Sequence, residues 1–380
     1  MSWFQKAVGG ENISDEIIDR EVYSTDGSQV KGRADRIIWA TNEEQIHQVV
    51  LYAKRNKKSI VPRGAGTSLF GSVVPQDDIV LDLSNMDKII SIGKDYVIVE
   101  PGMILDNLNK KLKDKFFPVI PEDSAVCTIG GMCGINPLGV YDLKFGRMKD
   151  WVLEVEMIDG NGRLKKYGNE VIGFEGILGI ITKIKLMIID KIKEKSVDVF
   201  KFDSAEEAVN KVPQLKQNTN CLSIFFIGPS AAVINGLENK YYLIAEYAGL
   251  DGSINDIVEM ERIKGIKRNI SSKLAINGFT VRDDPCLNIE NVIEFVYWLE
   301  KNRIPYYGPI SSGIIYPCVD DIKKLDEVYD FVSGLNGSFG SVFGFGILKK
   351  KLVPINKKFE LNGLKEKFDP VHIMNRGKLI

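Results

Sequence analysis

Apolar and polar positions along the chain follow two periods, one typical of helices and one typical of strands. The run "RIIWA" (36–40) reads as a strand. In the following "NEEQIHQVVLYAKRNKK" (42–58), Ile46, Val49, Val50 and Ala53 recur at the spacing of one helix face. This pattern predicts a strand followed by a helix that has Thr41 as its N-cap and His47 on its partly exposed surface.

The same reasoning predicts further strands and one short helix before residue 190. "WVLEVEMID" (151–159) alternates apolar and polar residues as a half-buried strand does, and "GNG" (160–162) turns the chain back. The remaining segments are strands at 59–61, 78–83, 96–102 and 180–189, and an amphipathic helix at 104–115.

A second section begins near Lys191 and alternates strands with helices. Two adjacent strands within the alternation predict a split βαβ, ferredoxin-like arrangement. The fold class is therefore α+β, with domains at 1–190 and 191–350 and a C-terminal segment at 351–380. The predicted elements are strand 196–202, helix 204–217, strand 221–227, strand 240–247, helix 253–268, helix 289–301, strand 310–316 and helix 320–333.

Charge and hydropathy narrow the range of partners. The net charge is −1, from 50 basic and 51 acidic residues, so no overall field favours nucleic acid. No apolar run reaches the roughly 18 residues of a membrane span. We expect a cytoplasmic protein that binds no nucleic acid; peripheral attachment to the membrane through a partner is the alternative.

Cysteine and histidine usage limits the chemistry further. None of the five cysteines forms a C-x-x-C pair, so neither zinc nor an iron–sulfur cluster is encoded at recognisable spacing. We interpret the cysteines as buried and reduced. His47 and His372 are the only histidines, too few for a histidine-rich metal site.

Four glycine-rich segments carry the main functional signal. Each could be a turn between packed strands. Together they indicate a large, phosphate-bearing cofactor held by backbone, since consecutive N–H groups in such turns form anion sites. The chain has no G-x-G-x-x-G that opens a helix and no P-loop, so neither common nucleotide motif applies. The segments are "PRGAGTSLFGS" (62–72), "CTIGGMCGINPLG" (127–139), "FEGILGIIT" (174–182) and "FDPVHIMNRGK" (368–378).

The order and spacing of these pieces resemble the FAD-binding domain of the vanillyl-alcohol oxidase, or PCMH-type, flavoprotein family. Within it, the likeness is greatest to the FAD-linked glycolate oxidase and D-lactate dehydrogenase subunits. It spans roughly 23–182 and resumes from about 305 to the C-terminus. The motifs that carry it, besides the glycine-rich segments, are "YSTDGS" (23–28), "IVLDLSNMDKI" (79–89), "VEPG" (99–102) and "KFGRMKDWVLEVEMIDGNG" (144–162).

The resemblance implies a two-subdomain FAD-binding domain, a reduced ferredoxin-like cap, and specific cofactor contacts. The loop after strand 59–61 would wrap the pyrophosphate, the second segment would pass the pyrophosphate and ribityl chain, the third would line the adenine side, and Asn375 would approach the flavin. The implied residues are Pro62, Arg63, Gly64, Ala65, Gly66, Thr67, Ser68, Gly71, Pro121, Thr128, Gly130, Gly131, Glu175, Gly176, Gly179, Ile181 and Asn375.

Many relatives attach FAD covalently through histidine or cysteine. No histidine lies in 62–72 or near Gly130, and we interpret the nearby Cys127 and Cys133 as structural thiols. We therefore expect non-covalent FAD.

The second half departs from the family pattern. Hydroxy-acid dehydrogenases of this family bind a divalent metal through histidines and an acid, where this chain has "GPISSGIIYP" (308–317) and "SVFGFG" (341–346). The resemblance therefore implies that the metal site is lost. The positions that lack the family's metal-site residues are Pro309, Ser312, Tyr316, Val342 and Phe343.

Without these ligands, another group has to polarise or deprotonate the substrate hydroxyl. Tyr316 and Arg282 are the candidate catalytic residues, and Tyr306 and a carboxylate such as Glu122 are alternatives. Packing of the cap is the other interpretation of the two tyrosines.

The resulting expectation is FAD-dependent dehydrogenation of a small 2-hydroxy acid of the glycolate or D-lactate class. Electrons would pass to a partner, an iron–sulfur or other electron-accepting subunit. The alternative is an FAD-binding accessory subunit without its own turnover, and a third option is an oxidase of a sugar or polyol.

Overall fold

A computed structural model describes residues 3–380. Numbered along the chain, the strands are β1 Ile13–Ser14, β2 Arg33–Trp39, β3 Ile60–Arg63, β4 Gln76–Asp82, β5 Ile89–Ile92, β6 Tyr96–Val99, β7 Lys115–Phe116, β8 Val152–Asp159, β9 Leu164–Tyr167, β10 Gly179–Met187, β11 Ile189–Asp190, β12 Lys195–Phe202, β13 Cys221–Ile227, β14 Tyr241–Ala248, β15 Val281–Arg282, β16 Tyr306–Gly308 and β17 Tyr316–Val319.

The helices alternate with these strands. They are α1 Trp3–Val8, α2 Ile17–Tyr23, α3 Glu43–Asn56, α4 Leu105–Lys111, α5 Ile129–Ile135, α6 Asp142–Phe145, α7 Ala205–Lys216, α8 Pro229–Ile234, α9 Ile257–Ile276, α10 Ile289–Lys301, α11 Lys324–Gly334 and α12 Ile355–Phe368. Short 3₁₀ turns lie at Gly10–Asn12, Met148–Trp151, Asn169–Val171, Ile310–Ser312 and Lys350–Leu352.

The chain divides into two compact units. The first comprises the chain up to Pro137, Arg147–Asp190 and Val342–Ile380, and the second comprises Leu138–Gly146 and Lys191–Ser341. The short segment 138–146, which lies within the first domain expected from the sequence, belongs to the second unit.

The first unit begins with a four-stranded sheet of order β1-β2-β4-β3, in which β2, β4 and β3 are parallel. Helix α3 packs its apolar face on this sheet as the spacing predicts. Its N-cap is Asn42, whose side chain accepts from the Gln45 N–H, so the expectation for Thr41 was wrong. The Thr41 N–H and hydroxyl bond the Gln45 side chain instead.

The first unit also contains a five-stranded antiparallel sheet of order β5-β6-β10-β8-β9. The predicted turn at 160–162 joins β8 to β9, and Gly162 takes a positive φ of 79° there. The C-terminal segment joins the parallel sheet, because Met374 bridges Ile60 in parallel. The Asn375 N–H donates to the Ile60 carbonyl at 2.8 Å, which fixes this segment beside β3.

The second unit is built on a six-stranded sheet of order β12-β14-β13-β16-β17-β15, with antiparallel neighbours throughout. Strand β14 lies between β12 and β13, which α7 connects, so these elements form the split βαβ arrangement expected from the sequence. The full ferredoxin-like arrangement stays a prediction.

Two element predictions in the second unit were wrong. Residues 310–316 do not form one strand: a 3₁₀ turn occupies Ile310–Ser312, and strands lie on either side of this region. Gly313, at φ +72°, turns the chain here, and a Cβ on it would lie 2.0 Å from the Leu287 carbonyl oxygen. Helix α9 starts and ends later than the predicted 253–268.

Candidate functional site

The loop after β3 is the first part of the candidate site. Gly66 and Gly71 take φ values of +71° and +81°, which are accessible to glycine without strain. The Gly66 carbonyl accepts the Gly27 N–H at 3.0 Å, so the "YSTDGS" segment supports this loop. The Ser68 hydroxyl accepts the N–H groups of Phe70 and Ser72, which fixes the loop's second half.

The N–H groups of residues 64–69 define the loop's chemistry. Within the described chain, 3–380, none of these six N–H groups donates to a protein acceptor. Residues 62–72 contain no acid, and Ala65 and Thr67 are exposed. A series of unpaired backbone donors without a nearby loop carboxylate fits a phosphate or diphosphate.

Arg63 lies behind this loop. Its guanidinium donates to the Thr25 carbonyl at 2.7 Å and lies 5.2 Å from the centre of the Tyr23 ring. Burial lowers the pKa of Arg63, and the nearby Asp26 and Asp82 oppose that shift. A Cβ on Gly66 would lie 2.2 Å from the guanidinium, so the charge is adjacent to the loop backbone.

The second glycine-rich segment meets the first at Gly64. Thr128 is the N-cap of α5, and its hydroxyl accepts the Gly131 N–H at 3.2 Å. A Cβ on Gly64 would lie 2.2 Å from the Thr128 Oγ1, and one on Gly130 would lie 2.7 Å from the Pro101 Cβ. Ala65 and Thr128 both line a small pocket of about 130 Å³. The two segments predicted to hold one cofactor therefore lie side by side.

The third glycine-rich segment, 174–182, mainly connects other segments of the first unit through Glu175. The buried Glu175 carboxylate accepts the Ser72 hydroxyl at 2.8 Å and the N–H groups of Phe345 and Gly346 at 2.7 and 2.8 Å. Its side chain is thus directed at protein groups, and a cofactor contact would have to come from its backbone. Sequence reasoning missed residues 345 and 346, although the glycines at 344 and 346, both with positive φ, were a signal for a special backbone conformation.

The other residues predicted in this segment are glycines and one isoleucine that allow close packing. A Cβ on Gly176 would lie 2.6 Å from the Pro62 Cγ, and one on Gly179 would lie 2.6 Å from the Ile158 carbonyl oxygen. Ile181 lies on β10, paired with Met157.

Asn375 connects the C-terminal segment to this group. Its Nδ2 donates to the carbonyl oxygens of Ser72 and Glu175, at 2.9 and 2.6 Å. Its Oδ1 is buried and has no donor among the described residues. Pro121 is also buried and opens a turn in which its carbonyl accepts the Ser124 N–H. The residues predicted to bind FAD all lie in the first unit.

The two candidate catalytic residues lie together in the second unit. Arg282, on β15, donates to the Tyr307 hydroxyl, and its guanidinium carbon lies 5.7 Å from the centre of the Tyr316 ring. Tyr307 and Tyr316 meet edge to face. By contrast, the Tyr306 hydroxyl donates to Glu300 at 2.7 Å, which gives that tyrosine a packing role.

The thiols near the loops have the expected character. Cys127 and Cys133 are buried and free, and burial raises the pKa of both thiols well above the usual range. Neither side chain is therefore a thiolate at neutral pH, the form that reacts.

Similarity to known proteins agrees with this geometry. Residues 34–168 match the FAD binding domain family. The chain is 26% identical to "Glycolate oxidase subunit GlcD" of Bacillus subtilis (strain 168), over 98% of this chain and 94% of that protein. It is 24% identical to "D-lactate dehydrogenase" of Anaerostipes hadrus, over 97% and 94%.

Solved structures share the fold at low identity. p-Cresol methylhydroxylase superimposes with a TM-score of 0.78 at 14% identity, over 99% of this chain and 95% of that one. Alkyldihydroxyacetonephosphate synthase gives 0.73 at 16%, over 98% and 84%. The unpaired N–H groups at 64–69 and the second glycine segment both lie within residues 34–168, the part of the chain that matches the FAD binding domain family.

Proposed function

We propose that this protein is an FAD-dependent dehydrogenase of a small 2-hydroxy acid, of the glycolate or D-lactate class, that passes electrons to a partner. The observation that carries the proposal is the run of unpaired N–H groups at 64–69 beside Thr128. The activity class is supported by the glycolate oxidase and D-lactate dehydrogenase relatives, which align with nearly the whole chain.

The described residues fit FAD in three respects. The loop 64–69 offers donors to a diphosphate, Arg63 supplies positive charge behind it, and the buried Asn375 Oδ1 is an acceptor without a donor. FAD, when bound, would supply the acceptor for the hydride that leaves the substrate's α-carbon. We propose that it is held non-covalently, because both thiols near the loops are buried and protonated.

Arg282 and Tyr316 are the proposed catalytic side chains. A guanidinium attracts a substrate carboxylate, and a tyrosine hydroxyl can exchange a proton with the substrate hydroxyl. The contact of Arg282 with Tyr307 and its position over Tyr316 bring these groups within one cluster of the second unit.

The decisive experiment is anaerobic addition of glycolate, D-lactate and other 2-hydroxy acids to the purified flavoprotein, with flavin absorbance as the readout. We expect bleaching by at least one of these 2-hydroxy acids and unchanged bleaching after chelator treatment. Elemental analysis that finds one tightly bound metal, whose removal stops bleaching, would contradict the proposed loss of the metal site.

Site variants separate catalysis from packing. Tyr316→Phe should slow flavin reduction at least about 100-fold, the usual contribution of a general acid or base. Tyr306→Phe is the matched control, because its hydroxyl bonds Glu300, and it should reduce at nearly the parent rate. Equal rates for both variants would remove Tyr316 from the proposed mechanism.

The second candidate is an FAD-binding accessory subunit of a glycolate oxidase-like complex. The observation that favours it is that residues 3–380 contain no group of three or more His, Cys, Asp or Glu side chains placed to hold a metal ion. Its proposed partner is an iron–sulfur or other electron-accepting subunit. If no hydroxy acid reduces the bound FAD, with or without added metal, the accessory-subunit function replaces the dehydrogenase function.

The cellular compartment of the protein is also part of the proposal. No helix among residues 3–380 combines the length and the apolar character needed to cross a bilayer. We propose a cytoplasmic enzyme that reaches other components through surface contacts.

A further inference from the structure

The hairpin that carries Tyr316 has a short ladder of its own. Strands β16 and β17 pair at two positions, Tyr306 with Pro317 and Tyr307 with Tyr316. Pro317 has no N–H to donate, which weakens the backbone bonding between the two strands. The Tyr316 ring meets Tyr307 edge to face and lies close to the Arg282 guanidinium. The position of the Tyr316 side chain therefore depends on what holds the turn between the strands.

Two serine hydroxyls fix this turn from outside the hairpin. They belong to the 3₁₀ turn Ile310–Ser312, and both donate to the carboxylate of Asp142. The Ser311 Oγ lies 2.9 and 2.8 Å from its two oxygens, and the Ser312 hydroxyl bonds Oδ2. Lys216 of α7 adds one contact, to the Ser311 carbonyl oxygen at 3.1 Å. The turn is thus held by groups that lie 95 to 170 residues away in sequence.

The Ser311 hydroxyl also connects the carboxylate to an inner strand of the sheet. Its oxygen accepts the Ile224 N–H of β13 at 3.1 Å. Its one proton has the Asp142 oxygens closer than the Ile224 carbonyl oxygen, which lies at 3.2 Å. Hydrogen bonds to a charged acceptor are the stronger ones, so the bonds run from β13 through Ser311 to Asp142. All three residues are buried, where such bonds are stronger than in water.

A carboxylate is an unfavourable group to bury at this place. Asp142 is 4% exposed, and burial raises its pKa from 3.8 to about 6. The hydroxyls of Ser312 and Ser311 lower that pKa, and so does the ammonium of Lys267. At pH 8 the protein therefore holds a buried negative charge here, although a neutral side chain would be easier to bury. Such a group is expected where a neighbouring functional side chain has to be held in one position.

We propose that Asp142 is a positioning residue for the proposed reaction: through Ser311 and Ser312 it holds the turn 310–312, and this turn sets the position of the Tyr316 hydroxyl. The geometry required of a proton-exchanging group is narrow, because a displacement of about 1 Å can lower a rate about 100-fold. The inference rests on the proposed function, since it takes Tyr316 as the group that exchanges a proton with the substrate.

The first test follows the Tyr316 ring without turnover. In protein labelled with ¹³C at the tyrosine Cζ atoms, the NMR signal that is lost in Tyr316→Phe is the signal of Tyr316. We expect Asp142→Asn and Ser312→Ala to shift or broaden it, because each removes the bond between the Ser312 hydroxyl and a carboxylate. Asp198→Asn is the matched control, since the Asp198 carboxylate on β12 accepts the Ser253 N–H and hydroxyl at 2.8 and 2.7 Å. It should leave the Tyr316 signal unchanged.

The second test is stopped-flow reduction of the flavin by a 2-hydroxy acid that bleaches the parent. Asp142→Asn and Ser312→Ala should each lower the limiting rate at least about tenfold, with FAD affinity and substrate half-saturation within about twofold of the parent. The double variant should be no slower than the slower single variant, because both changes break the same contact. In the Tyr316→Phe background, Asp142→Asn should change the rate less than about twofold, since it acts through Tyr316.

Thermal unfolding checks that every variant is folded, and Ser312→Ala carries the test if Asp142→Asn does not fold. The inference is overturned by an unchanged Tyr316 signal, by a parent-like rate of reduction, or by a further loss of rate when Asp142→Asn is added to Tyr316→Phe. An equal effect of Asp198→Asn would also overturn it. If no 2-hydroxy acid reduces the parent flavin, the proposed function fails, while the Tyr316 signal still decides whether Asp142 holds the turn.

Discussion

Substitution of Gly64 by alanine tests the contact that joins the two glycine-rich segments. The added Cβ would lie 2.2 Å from the Thr128 Oγ1, more than 1 Å closer than the 3.4 Å at which ordinary contact begins. Either the loop at 64–69 retreats, or Thr128 rotates and releases the Gly131 N–H that it caps.

The free-energy cost of each response is known to an order of magnitude from other proteins. Overpacking of this kind costs about 1–3 kcal/mol, and loss of an N-cap costs about 1 kcal/mol. We therefore expect Gly64→Ala to lower the free energy of unfolding by about 2–3 kcal/mol. FAD should bind at least about tenfold more weakly, because the N–H groups of residues 64–69 move with the loop.

A double-mutant cycle isolates the cause. Thr128→Ala alone should cost about 1 kcal/mol through the lost cap, and it removes the Oγ1 that the new methyl group meets. The double variant should therefore be more stable than the sum of the single effects predicts, by at least about 1 kcal/mol. Urea unfolding and FAD titration measure the two quantities.

Gly265→Ala is the control. Nothing lies within 4 Å of a Cβ at this position of α9, so the change should stabilise the helix by about 0.5–1 kcal/mol and leave FAD affinity unchanged. Strict additivity in the cycle, or a parent-like FAD affinity for Gly64→Ala, would refute the proposed contact between the segments.

Further predictions address the cofactor and one buried carboxyl group. Gly66→Glu should weaken FAD binding at least about 100-fold, because a carboxylate would enter the phosphate cradle and pair with Arg63; an affinity within a few-fold of the parent would contradict this. Acid precipitation should release all flavin into the supernatant, and colour retained in the pellet would show a covalent bond. Burial raises the pKa of Asp142 from 3.8 to about 6, so its stabilising contribution is complete below pH 3.8 and is lost as the pH rises through 6. The free energy of unfolding of Asp142→Asn, compared with that of the parent, should therefore be higher at pH 8 than at pH 4 by up to roughly 3 kcal/mol. Urea unfolding measures this difference, and a difference that does not change with pH would refute the assignment.

Local patterns in the sequence predicted the helices and strands in which buried and exposed residues recur regularly. Helix α3 has one apolar stripe on one sheet, and β8 alternates between half-buried and buried positions from Glu154 to Met157, so the period of the sequence identifies both elements. The glycine loop was also recognisable, since its requirement for positive φ is local to Gly66 and Gly71.

Elements fixed by distant partners were not predictable in this way. The 3₁₀ turn at 310–312 contacts Asp142, whose carboxylate accepts the Ser311 and Ser312 hydroxyls from 169 and 170 residues away in sequence. No local pattern encodes such a bond, so 310–316 resembled a strand. Helix α12 was missed because its two apolar faces remove the single stripe that predicts a helix.

Glu175 shows why a family resemblance locates a site better than it assigns side-chain roles. Its position among the cofactor segments follows from order in the chain, but its carboxylate accepts Ser72 and the N–H groups of Phe345 and Gly346. A buried carboxylate with three donors stabilises the segments it joins, because each donor would otherwise be unpaired at a cost of about 1–3 kcal/mol. Asn375 adds two more bonds, to the carbonyls of Ser72 and Glu175. The side chains in this part of the first unit thus hold the backbone in place, and the N–H groups at 64–69 stay available for the proposed cofactor. A binding surface made of backbone would tolerate wide variation in side chains, which is compatible with a fold shared with p-cresol methylhydroxylase at 14% identity.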